Sequence, residues 1–334
     1  QNRNYGLLIQ PYEDKLLLNW WTGMASSTKI QINDVWYCGS SEPKFEECFA
    51  QAMTPISSFH NLLVPNEPFN ISFRDFQYNY SSPLHPRRIQ HVTDMHDNDK
   101  VAKLITDDCD LRVMTGDYSY DGKVVAFTRA FNFTSSKPNV IAPGNHDLQL
   151  KDINQVVGRD LQFFQEIGDV GVVSLNVLTA KIEVKKDLVD EAIKLIKESL
   201  KQSKAKYFII SSHQPVYCHY SFDTDVYFAQ QMEKLIDELN DKRILAVLSG
   251  HVHFVEMFKR KNVMFLACGP SGGGLNAKIE FHGRIDGIYG GDHHLDSYGG
   301  YYSKCYLDIG EQSVRYNSVD MITGQEIASW VQDL

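Results

Sequence analysis

Residues 111–120 read Leu-Arg-Val-Met-Thr-Gly-Asp-Tyr-Ser-Tyr, a short apolar run that ends in a glycine and a carboxylate. The run Leu111–Thr115 has the length and composition of a buried strand, and Gly116-Asp117 predicts a tight turn directly after it. Four other strand candidates are followed by polar segments in the same way: Asp94-Met95-His96, Gly144-Asn145-His146-Asp147, Ile210-Ser211-Ser212-His213 and Gly250-His251-Val252-His253. Because open α/β sheets place their active sites beyond the carboxyl ends of the strands, these segments predict one common site.

Strand and helix candidates alternate over most of the chain. The helical period is clearest in Leu188–Gln202 and in Met232–Asn240, where the apolar residues share one face. Further strand candidates lie at 89–93, 139–142, 170–177, 207–211, 244–249 and 263–268. This alternation predicts an α/β layered domain with buried central strands over residues 87–334.

The first 86 residues have a different pattern. Lys15–Trp21, Thr28–Ile32 and Val35–Cys38 are β-rich and are separated by Gly, Ser and Asn. A linker that contains proline follows at Ser81–Arg87. We therefore expect a small all-β sandwich over residues 1–86, of the fibronectin or immunoglobulin type, before the larger domain.

Composition narrows the classes of function. The chain has 334 residues, of which 33 are basic and 42 acidic, and its formal net charge is -9. Proteins that bind nucleic acid normally carry an excess of basic residues, so we expect no nucleic-acid partner. No apolar run approaches the roughly 18 residues needed to cross a bilayer, so we expect no transmembrane segment.

Three glycosylation sequons favour a secreted or lumenal protein (extracellular, vacuolar or lysosome-like). They begin at Asn70, Asn79 and Asn132. The chain starts at Gln1, and either a removed signal peptide or a trimmed chain accounts for that start. Six cysteines suit disulfides, and we expect Cys38 to pair with Cys48, although six buried thiols are the alternative.

The polar segments have the residue types that a pair of metal ions requires. A phosphate ester resists attack because its negative oxygens repel nucleophiles, and two metal ions about 3.5–4 Å apart overcome that repulsion. Such a pair needs oxygen ligands, neutral imidazoles and one carboxylate that can bridge. The segments supply all three, and each glycine before Asp117, Asn145 and His251 permits a tight turn and close approach.

In this order, the five segments resemble the calcineurin-like metallophosphoesterase superfamily, and the similarity is closest to the purple acid phosphatases. Residues 116–120 fit the Gly-Asp-X-X-Tyr motif of those enzymes, and 210–213 fit their Val-X-X-His motif with Ile for Val. The β-rich first 86 residues look like their fibronectin-type domain. The resemblance implies a four-layer β-sandwich flanked by helices for the catalytic domain.

The resemblance also implies roles for individual residues. Asp117 would bridge the two metals and is essential for catalysis. Asp94 and His253 would bind the first metal, and Asn145, His213 and His251 the second. His146 would contact the phosphate together with Asn145 and would protonate the leaving group. From its position six residues after His213, His219 is a further candidate for substrate binding, and a surface histidine is the equal alternative.

One position departs from the purple acid phosphatase pattern. Those enzymes have Asp-X-Gly in the first motif and use the counterpart of Tyr120 as a ferric ligand, whereas this chain has His96 in place of that glycine. If Tyr120 binds, iron(III) is favoured; if His96 binds, two divalent ions (manganese, zinc or iron) are favoured. We favour His96 because imidazole is the commonest metal ligand. The expected cofactor is thus two metal ions, iron with zinc, manganese or iron.

The reaction implied by the resemblance is hydrolysis of phosphate esters, by in-line attack of a metal-bound hydroxide with His146 as general acid. Phosphomonoesters are the expected substrates. A phosphodiesterase acting on cyclic nucleotides or lipid head groups is the alternative, because Asp-X-His is common among such enzymes. An inert protein that binds partners on the same scaffold is the alternative from another class.

Two glycine-rich segments are weaker candidates. Gly269–Gly274 lacks the lysine of a phosphate-binding P-loop, so we expect a flexible loop at the rim of the site. Gly290–His294, with the nearby Tyr298, Tyr301 and Tyr302, could line the pocket, since loops of this kind often carry specificity.

Overall fold

The structure is a computed structural model. It describes residues 6–27, 29–38, 56–73, 76–81, 85–134, 137–151, 153–219, 225–278, 280–284 and 294–334. The predicted Cys38–Cys48 disulfide involves Cys48, which lies outside the described residues, and it stays a prediction. Among the described residues, no helix is both long enough and apolar enough to cross a membrane.

The N-terminal part is all β, as predicted. Its strands are β1 (Gly6–Tyr12), β2 (Lys15–Ser27), β3 (Lys29–Ile32), β4 (Val35–Cys38), β5 (Ile56–Pro65), β6 (Phe69–Phe73) and β7 (Phe76–Tyr80). They form two antiparallel sheets, in the orders β1-β2-β5 and β4-β3-β6-β7. One core joins the sheets, with Leu16 and Trp20 from the first against Ile30 and Ile71 from the second. Burial of alternate apolar side chains from both sheets explains why these short strands hold together.

The remaining strands build two larger sheets. They are β8 (Arg88–Val92), β9 (Leu111–Met114), β10 (Asn139–Ile141), β11 (Phe163–Ile167), β12 (Val170–Leu175), β13 (Tyr207–Ser212), β14 (Ile244–Ser249), β15 (Val255–Arg260), β16 (Val263–Ala267), β17 (Glu280–Arg284), β18 (His294–Tyr298), β19 (Ser303–Ile309), β20 (Ser313–Asp320) and β21 (Glu326–Asp333). The six-stranded sheet has the order β10-β9-β8-β19-β20-β21, and the eight-stranded sheet has the order β11-β12-β13-β14-β16-β15-β18-β17.

In the described part of the chain, five α-helices accompany these sheets. They are α1 (Asp99–Ala102), α2 (Val124–Ala130), α3 (Ile153–Val157), α4 (Lys186–Gln202) and α5 (Val226–Leu239), with 3-10 turns at Phe131–Phe133 and Asp147–Gln149. The α5 helix begins earlier than the sequence pattern predicts. The reason is local. The Asp225 side chain accepts a hydrogen bond from the backbone nitrogen of Phe228 and so caps the first turn of the helix, and the Phe228 and Ala229 side chains of that turn are buried.

The layers are held by three apolar cores. The two large sheets face each other, with Val113 of β9 and Leu307 of β19 packed among residues such as Val172 and Leu248. Helices α4 and α5 cover the outer face of the eight-stranded sheet. Helices α1, α2 and α3 cover the other side of the six-stranded sheet and also contact Trp21 of the N-terminal sheet. This helix–sheet–sheet–helix arrangement confirms the predicted fold class.

Candidate metal centre

The five polar segments meet where parallel strands end. Strands β8, β9 and β10 run parallel in one sheet, and β13 and β14 run parallel in the other. Each strand is followed within a few residues by side chains whose ligand atoms lie close together: Asp94 and His96, Asp117, His146, His213, and His251 and His253. Asn145 directly precedes His146, and its side chain is buried. The convergence expected from the sequence is therefore what the fold produces.

The backbone at these strand ends is unusual. Asp94, His96, Asp117, His251 and His253 all have positive φ, at 50°, 47°, 56°, 74° and 56°. Side-chain-bearing residues rarely adopt this left-handed region, and each such residue costs free energy that the surroundings must offset. The presence of five such residues at one pocket indicates that backbone strain is accepted there because it directs the side chains into the pocket.

Three glycines make the close approach of these segments possible. A Cβ atom at Gly144 would lie 2.0 Å from Asp117 Oδ1, and one at Gly250 would lie 2.0 Å from Thr93 Oγ1. At Gly116 a Cβ atom would lie 2.4 Å from the backbone nitrogen of Gly144. Any side chain at these positions would push the strand ends apart, so the glycine before each ligand-bearing segment is required by packing.

Asp94, His96 and His253 form the first ion-binding group. Asp94 Oδ1 lies 3.4 Å from His253 Nε2 and 3.6 Å from His96 Nε2. Both Asp94 Oδ1 and His96 Nε2 are buried without a hydrogen-bond partner. Burying polar atoms in this way is costly unless something else satisfies them. A cation held by one carboxylate and two imidazoles would do so, and this ligand set fits a transition-metal ion.

Asp117, His213 and His251 form the second group, and His146 could complete a further group with His96 and Asp117. Asp117 Oδ2 lies 3.3 Å from His213 Nε2, and His213 Nε2 lies 3.2 Å from His251 Nδ1. Two imidazole nitrogens at this distance need a proton or a cation between them. Asp117 Oδ2 is also 3.3 Å from His96 Nε2 of the first group, so this carboxylate stands between the two groups. Asn145 Oδ1 is buried without a hydrogen-bond partner as well, which fits a further ligand.

Backbone carbonyls fix the orientation of the imidazoles. His213 Nδ1 is 2.6 Å from the carbonyl oxygen of Thr115, and His253 Nδ1 is 2.6 Å from that of Gly274. His146 Nδ1 contacts the carbonyl oxygen of Tyr120. When Nδ1 donates to these carbonyls, each Nε2 atom is left free to face the pocket, which is the usual way in which proteins orient histidine ligands.

Asp147 holds the two central loops together. Its carboxylate accepts hydrogen bonds from the backbone nitrogens of Asp117 at 2.7 Å, Tyr118 at 3.0 Å and Gly144 at 2.9 Å. It is fully buried, and it lies behind the ligands rather than among them. These hydrogen bonds explain how the loops after β9 and β10 keep a fixed spacing.

The charges of the pocket depend on one another. Burial lowers the pKa of His96 and His213, but the Asp117 and Asp94 carboxylates outweigh it and raise these pKa values to about 10 and about 9. Burial raises the pKa of Asp117, yet the imidazoles of His213 and His96 bring it well below its usual range. For His251, burial and then the neighbouring His213 lower the pKa to about 4. Without a metal, the carboxylates are thus neutralised by imidazolium groups.

This charge state predicts that metal binding releases protons. In the metal-free protein at pH 7.5, His96 and His213 are protonated, because their pKa values of about 10 and about 9 lie above that pH. Metal ligands must be neutral imidazoles, so loading should release about two protons, and metal affinity should rise with pH up to about pH 9–10. Calorimetric titration of stripped protein with zinc or manganese, in buffers of different ionisation enthalpy, measures the number of protons. Release near zero at pH 7.5 would contradict this charge state.

The choice between His96 and Tyr120 has a clear geometric contrast. His96 Nε2 belongs to the pocket, whereas the Tyr120 side chain is 60% exposed. The Tyr120 ring stacks on His146, with ring centroids 4.9 Å apart. Its backbone nitrogen donates a hydrogen bond to Asp97 Oδ2 at 3.1 Å.

An open cleft of about 590 Å³ adjoins the first group. It is lined by residues 96–100, Tyr120 and Gly272–Gly274. No motif marks Asp97, Asp99 and Lys100 in the sequence, because only the fold places this segment beside the glycine-rich loop and so makes it part of the cleft.

The loop Gly269–Gly274 does lie at the rim, where Gly272–Gly274 line the cleft, but its packing does not fit the expected flexibility. Residues 269–273 are buried, and the backbone nitrogen of Gly273 donates a hydrogen bond to the Asp94 carbonyl at 2.7 Å. A Cβ atom at Gly272 would lie 2.2 Å from the Met95 carbonyl oxygen. The glycines therefore serve close packing against the first ligand segment rather than mobility.

Two further candidates from the sequence are His219 and the second glycine-rich segment, Gly290–His294. The backbone nitrogen of His219 donates a hydrogen bond to Glu256 Oε1 at 3.2 Å, and His219 is not a member of the ligand groups. Its role in substrate binding stays a prediction. Residues 290–293 of the second glycine-rich segment lie outside the described residues.

Comparison with known proteins identifies the group to which this fold and pocket belong. A family model described as calcineurin-like phosphoesterase matches residues 87–255, which is just over half of the chain. The chain belongs to this family. It is accordingly a metal-dependent phosphoesterase, and the family and the two ligand groups together indicate a dinuclear metal centre.

Two curated relatives in the family are each described as a probable cyclic nucleotide phosphodiesterase. The relative from Vesicomyosocius okutanii subsp. Calyptogena okutanii (strain HA) is 27% identical over 166 residues, covering 48% of this chain and 69% of the relative. The relative from Ruthia magnifica subsp. Calyptogena magnifica is 26% identical over 172 residues, covering 50% of this chain and 72% of the relative.

Solved structures extend the likeness beyond the family region. A purple acid phosphatase from yellow lupin (Lupinus luteus) seeds superposes with a TM-score of 0.67 at 13% identity, covering 98% of this chain and 73% of the other. GAP50, described as the anchor in the inner membrane complex of Plasmodium, superposes with a TM-score of 0.55 at 14% identity, covering 75% and 89%. At these identities the similarity shows a shared fold alone.

Proposed function

We propose that this phosphoesterase hydrolyses phosphodiesters. The observation that carries the proposal is the position of His96, whose Nε2 lies 3.6 Å from Asp94 and 3.3 Å from Asp117. The first metal would then be held by Asp-X-His, the pattern that is common among phosphodiesterases of this superfamily. The description of both relatives as probable cyclic nucleotide phosphodiesterases supports the same substrate class.

The charge of the adjoining cleft supports a monoanionic substrate. Asp97 and Asp99 line the cleft beside the first ligand group, and Lys100 is the cation among the lining residues that follow His96. A phosphodiester carries one negative charge, while a monoester dianion carries two and is repelled more strongly by such carboxylates. The open cleft also leaves room for the second ester substituent that only a diester has.

Phosphomonoesters are the second candidate substrates. They are favoured by the fold similarity to a purple acid phosphatase, which includes the N-terminal β part. Hydrolysis rates of bis(p-nitrophenyl) phosphate, 3′,5′-cyclic AMP and p-nitrophenyl phosphate, measured side by side on the metal-loaded protein, decide between the two. A kcat/KM at least tenfold higher for either diester supports the proposal. A matching preference for the monoester overturns it in favour of the second candidate.

The residues divide into metal ligands and a proton donor. Asp94, His96 and His253 would hold one ion, and Asn145, His213 and His251 the other, with Asp117 shared between them. Bound ions would neutralise the phosphate oxygens and lower the pKa of a water molecule towards neutrality. The ligand set of imidazoles and carboxylates suits divalent manganese, zinc or iron, and iron(III) in the first site would fit only if Tyr120 bound it.

His146 is the proposed proton donor. Its Nδ1 contacts the carbonyl oxygen of Tyr120, so its Nε2 faces the pocket, 3.9 Å from Asp117 Oδ2. From there His146 would transfer a proton to the departing ester oxygen, while the Asn145 amide would contact the phosphate.

Substitution of the two rival ligands should have very different effects. His96→Ala should lower kcat/KM by roughly 100-fold, since the first metal loses an imidazole that contacts both carboxylates. Tyr120→Phe should change kcat/KM less than threefold, because the ring still stacks on His146. Steady-state kinetics and elemental analysis of both variants check this. A large loss of metal in Tyr120→Phe, together with loss of a visible charge-transfer band, would assign the ligand role to Tyr120.

The domain limits and the compartment are also proposals. We place the boundary between residues 86 and 87 and assign the protein to a secreted or lumenal compartment. Support for the compartment comes from Asn70 and Asn79, which are exposed at facing positions of β6 and β7. A mass shift on treatment with an N-glycosidase, after expression in a secreting eukaryotic cell, would test it.

A further inference from the structure

Two buried cysteines meet behind the metal centre. Cys268 directly follows β16 of the eight-stranded sheet, and Cys305 lies in β19 of the six-stranded sheet. Both are 0% exposed, and their Sγ atoms are 2.8 Å apart. Non-bonded carbon atoms pack best at about 3.5–4.0 Å, and sulfur is larger, so this contact is too close for two separate thiols. The structure records both cysteines as free thiols, and we propose that oxidation converts this contact into a disulfide between the two sheets.

The surroundings of the pair favour a structural bond over a reactive thiol. Cys268 Sγ contacts the carbonyl oxygen of His91 at 3.5 Å and Ser303 Oγ at 3.5 Å, and these groups are uncharged. Reactive cysteines are usually exposed in part and lie near a cation that stabilises the thiolate. Two fully buried sulfurs among uncharged groups have neither property, which makes a mutual covalent bond the stable outcome.

The bond would fix two segments that orient ligands of the first group. Cys305 is paired in register with His91 of β8, the strand that leads to Asp94. Cys268 leads into the loop in which Gly273 donates to the Asp94 carbonyl and Gly274 accepts from His253. A covalent link between the starting points of these segments would limit their separation and so help to retain the first metal.

Formation of the bond is an oxidation. Each thiol gives up its proton, two S–H bonds are replaced by one S–S bond, and two electrons pass to an oxidant. A low-molecular-weight disulfide such as oxidised glutathione serves as the oxidant and is reduced to two thiols. Because both sulfurs are buried, exchange has to occur during folding or local opening, and the finished bond is shielded from reductants in the folded protein.

Mass spectrometry of the full chain gives the direct test. Protein folded in a buffer of reduced and oxidised glutathione is unfolded without reductant in the presence of an alkylating agent and then digested. We expect a peptide pair linked through Cys268 and Cys305, separate from any pair linked through Cys38 and Cys48. Cys109, a buried free thiol, should be alkylated and provides the internal control. Full alkylation of Cys268 and Cys305 would overturn the proposal.

A stability difference tests the bond without relying on peptide recovery. Oxidised wild-type protein should unfold roughly 5–10 °C above the same protein prepared with a phosphine reductant. The comparison is made in a Cys38→Ala/Cys48→Ala background, which removes the other expected disulfide: there the difference should vanish with Cys268→Ala/Cys305→Ala and persist with Cys109→Ala. A difference that survives with Cys268→Ala/Cys305→Ala would show that some other pair is responsible. Neither test measures hydrolysis, so a failure here is separate from a failure of the proposed function.

Discussion

Asp117→Asn should lower kcat/KM by roughly 10³-fold or more and reduce the bound metal from about two ions per chain to one or fewer. The carboxylate stands between the two ligand groups, with Oδ2 3.3 Å from both His96 Nε2 and His213 Nε2. A metal pair supplies several kcal/mol of transition-state stabilisation, and each 1.36 kcal/mol corresponds to a tenfold change in rate. An amide keeps the shape of the side chain but not the negative charge that both ions share.

The fold should survive this substitution. Asp117 Oδ1 accepts a hydrogen bond from the backbone nitrogen of His146 at 3.0 Å, and the amide oxygen of asparagine can accept the same bond. Circular dichroism and the unfolding temperature of the metal-free proteins check that point.

Asp121→Asn is the matched control for Asp117→Asn. This carboxylate lies on the same loop but forms an ion pair with Lys123 and belongs to neither ligand group. We expect its activity and metal content to stay within about twofold of the wild type, since exposed ion pairs contribute little. If Asp117→Asn retained more than a tenth of the wild-type activity, or if Asp121→Asn lost as much, the bridging role of Asp117 would be wrong.

The amino-acid sequence predicts those features that depend on local pattern. A buried strand, a glycine and a polar residue occur together within a few positions, so the turns at Gly116-Asp117 and Gly250-His251 can be recognised from the order of residues alone. Parallel strands then bring their carboxyl ends together by topology, which is why the candidate ligands meet in one pocket.

Features that depend on distant partners are not predictable in this way. The composition of the glycine-rich loop favours a flexible rim, because nothing near Gly272 in the sequence shows that it packs on Met95, far away along the chain. The same holds for Cys268 and Cys305, which are brought together by strands of different sheets. Local composition does not encode the identity of such neighbours. The carbonyls that orient the histidines, such as that of Thr115, belong to the backbone, so no residue type marks them in the sequence.

Replacement of His146 should produce a loss of activity that depends on the leaving group. In His146→Ala, we expect kcat/KM to fall roughly 10²–10⁴-fold for substrates with an alkyl or sugar leaving group. For p-nitrophenyl esters of the same class the fall should be less than about tenfold, because p-nitrophenolate is stable enough to depart without a proton. The comparison can be made with whichever ester class the protein hydrolyses, so it does not depend on the substrate proposal.

Metal content separates this role from that of a ligand. His146 Nε2 lies 3.9 Å from Asp117 Oδ2, farther than His96 and His213, and its Nδ1 contacts the backbone of Tyr120. A proton donor at this position can be removed without loss of either ion, so elemental analysis of His146→Ala should still find about two ions per chain. Equal losses for both kinds of leaving group, together with a lost ion, would instead make His146 a metal ligand. The leaving oxygen would then need another proton source, because the other imidazoles of the described pocket all belong to the first or the second ligand group.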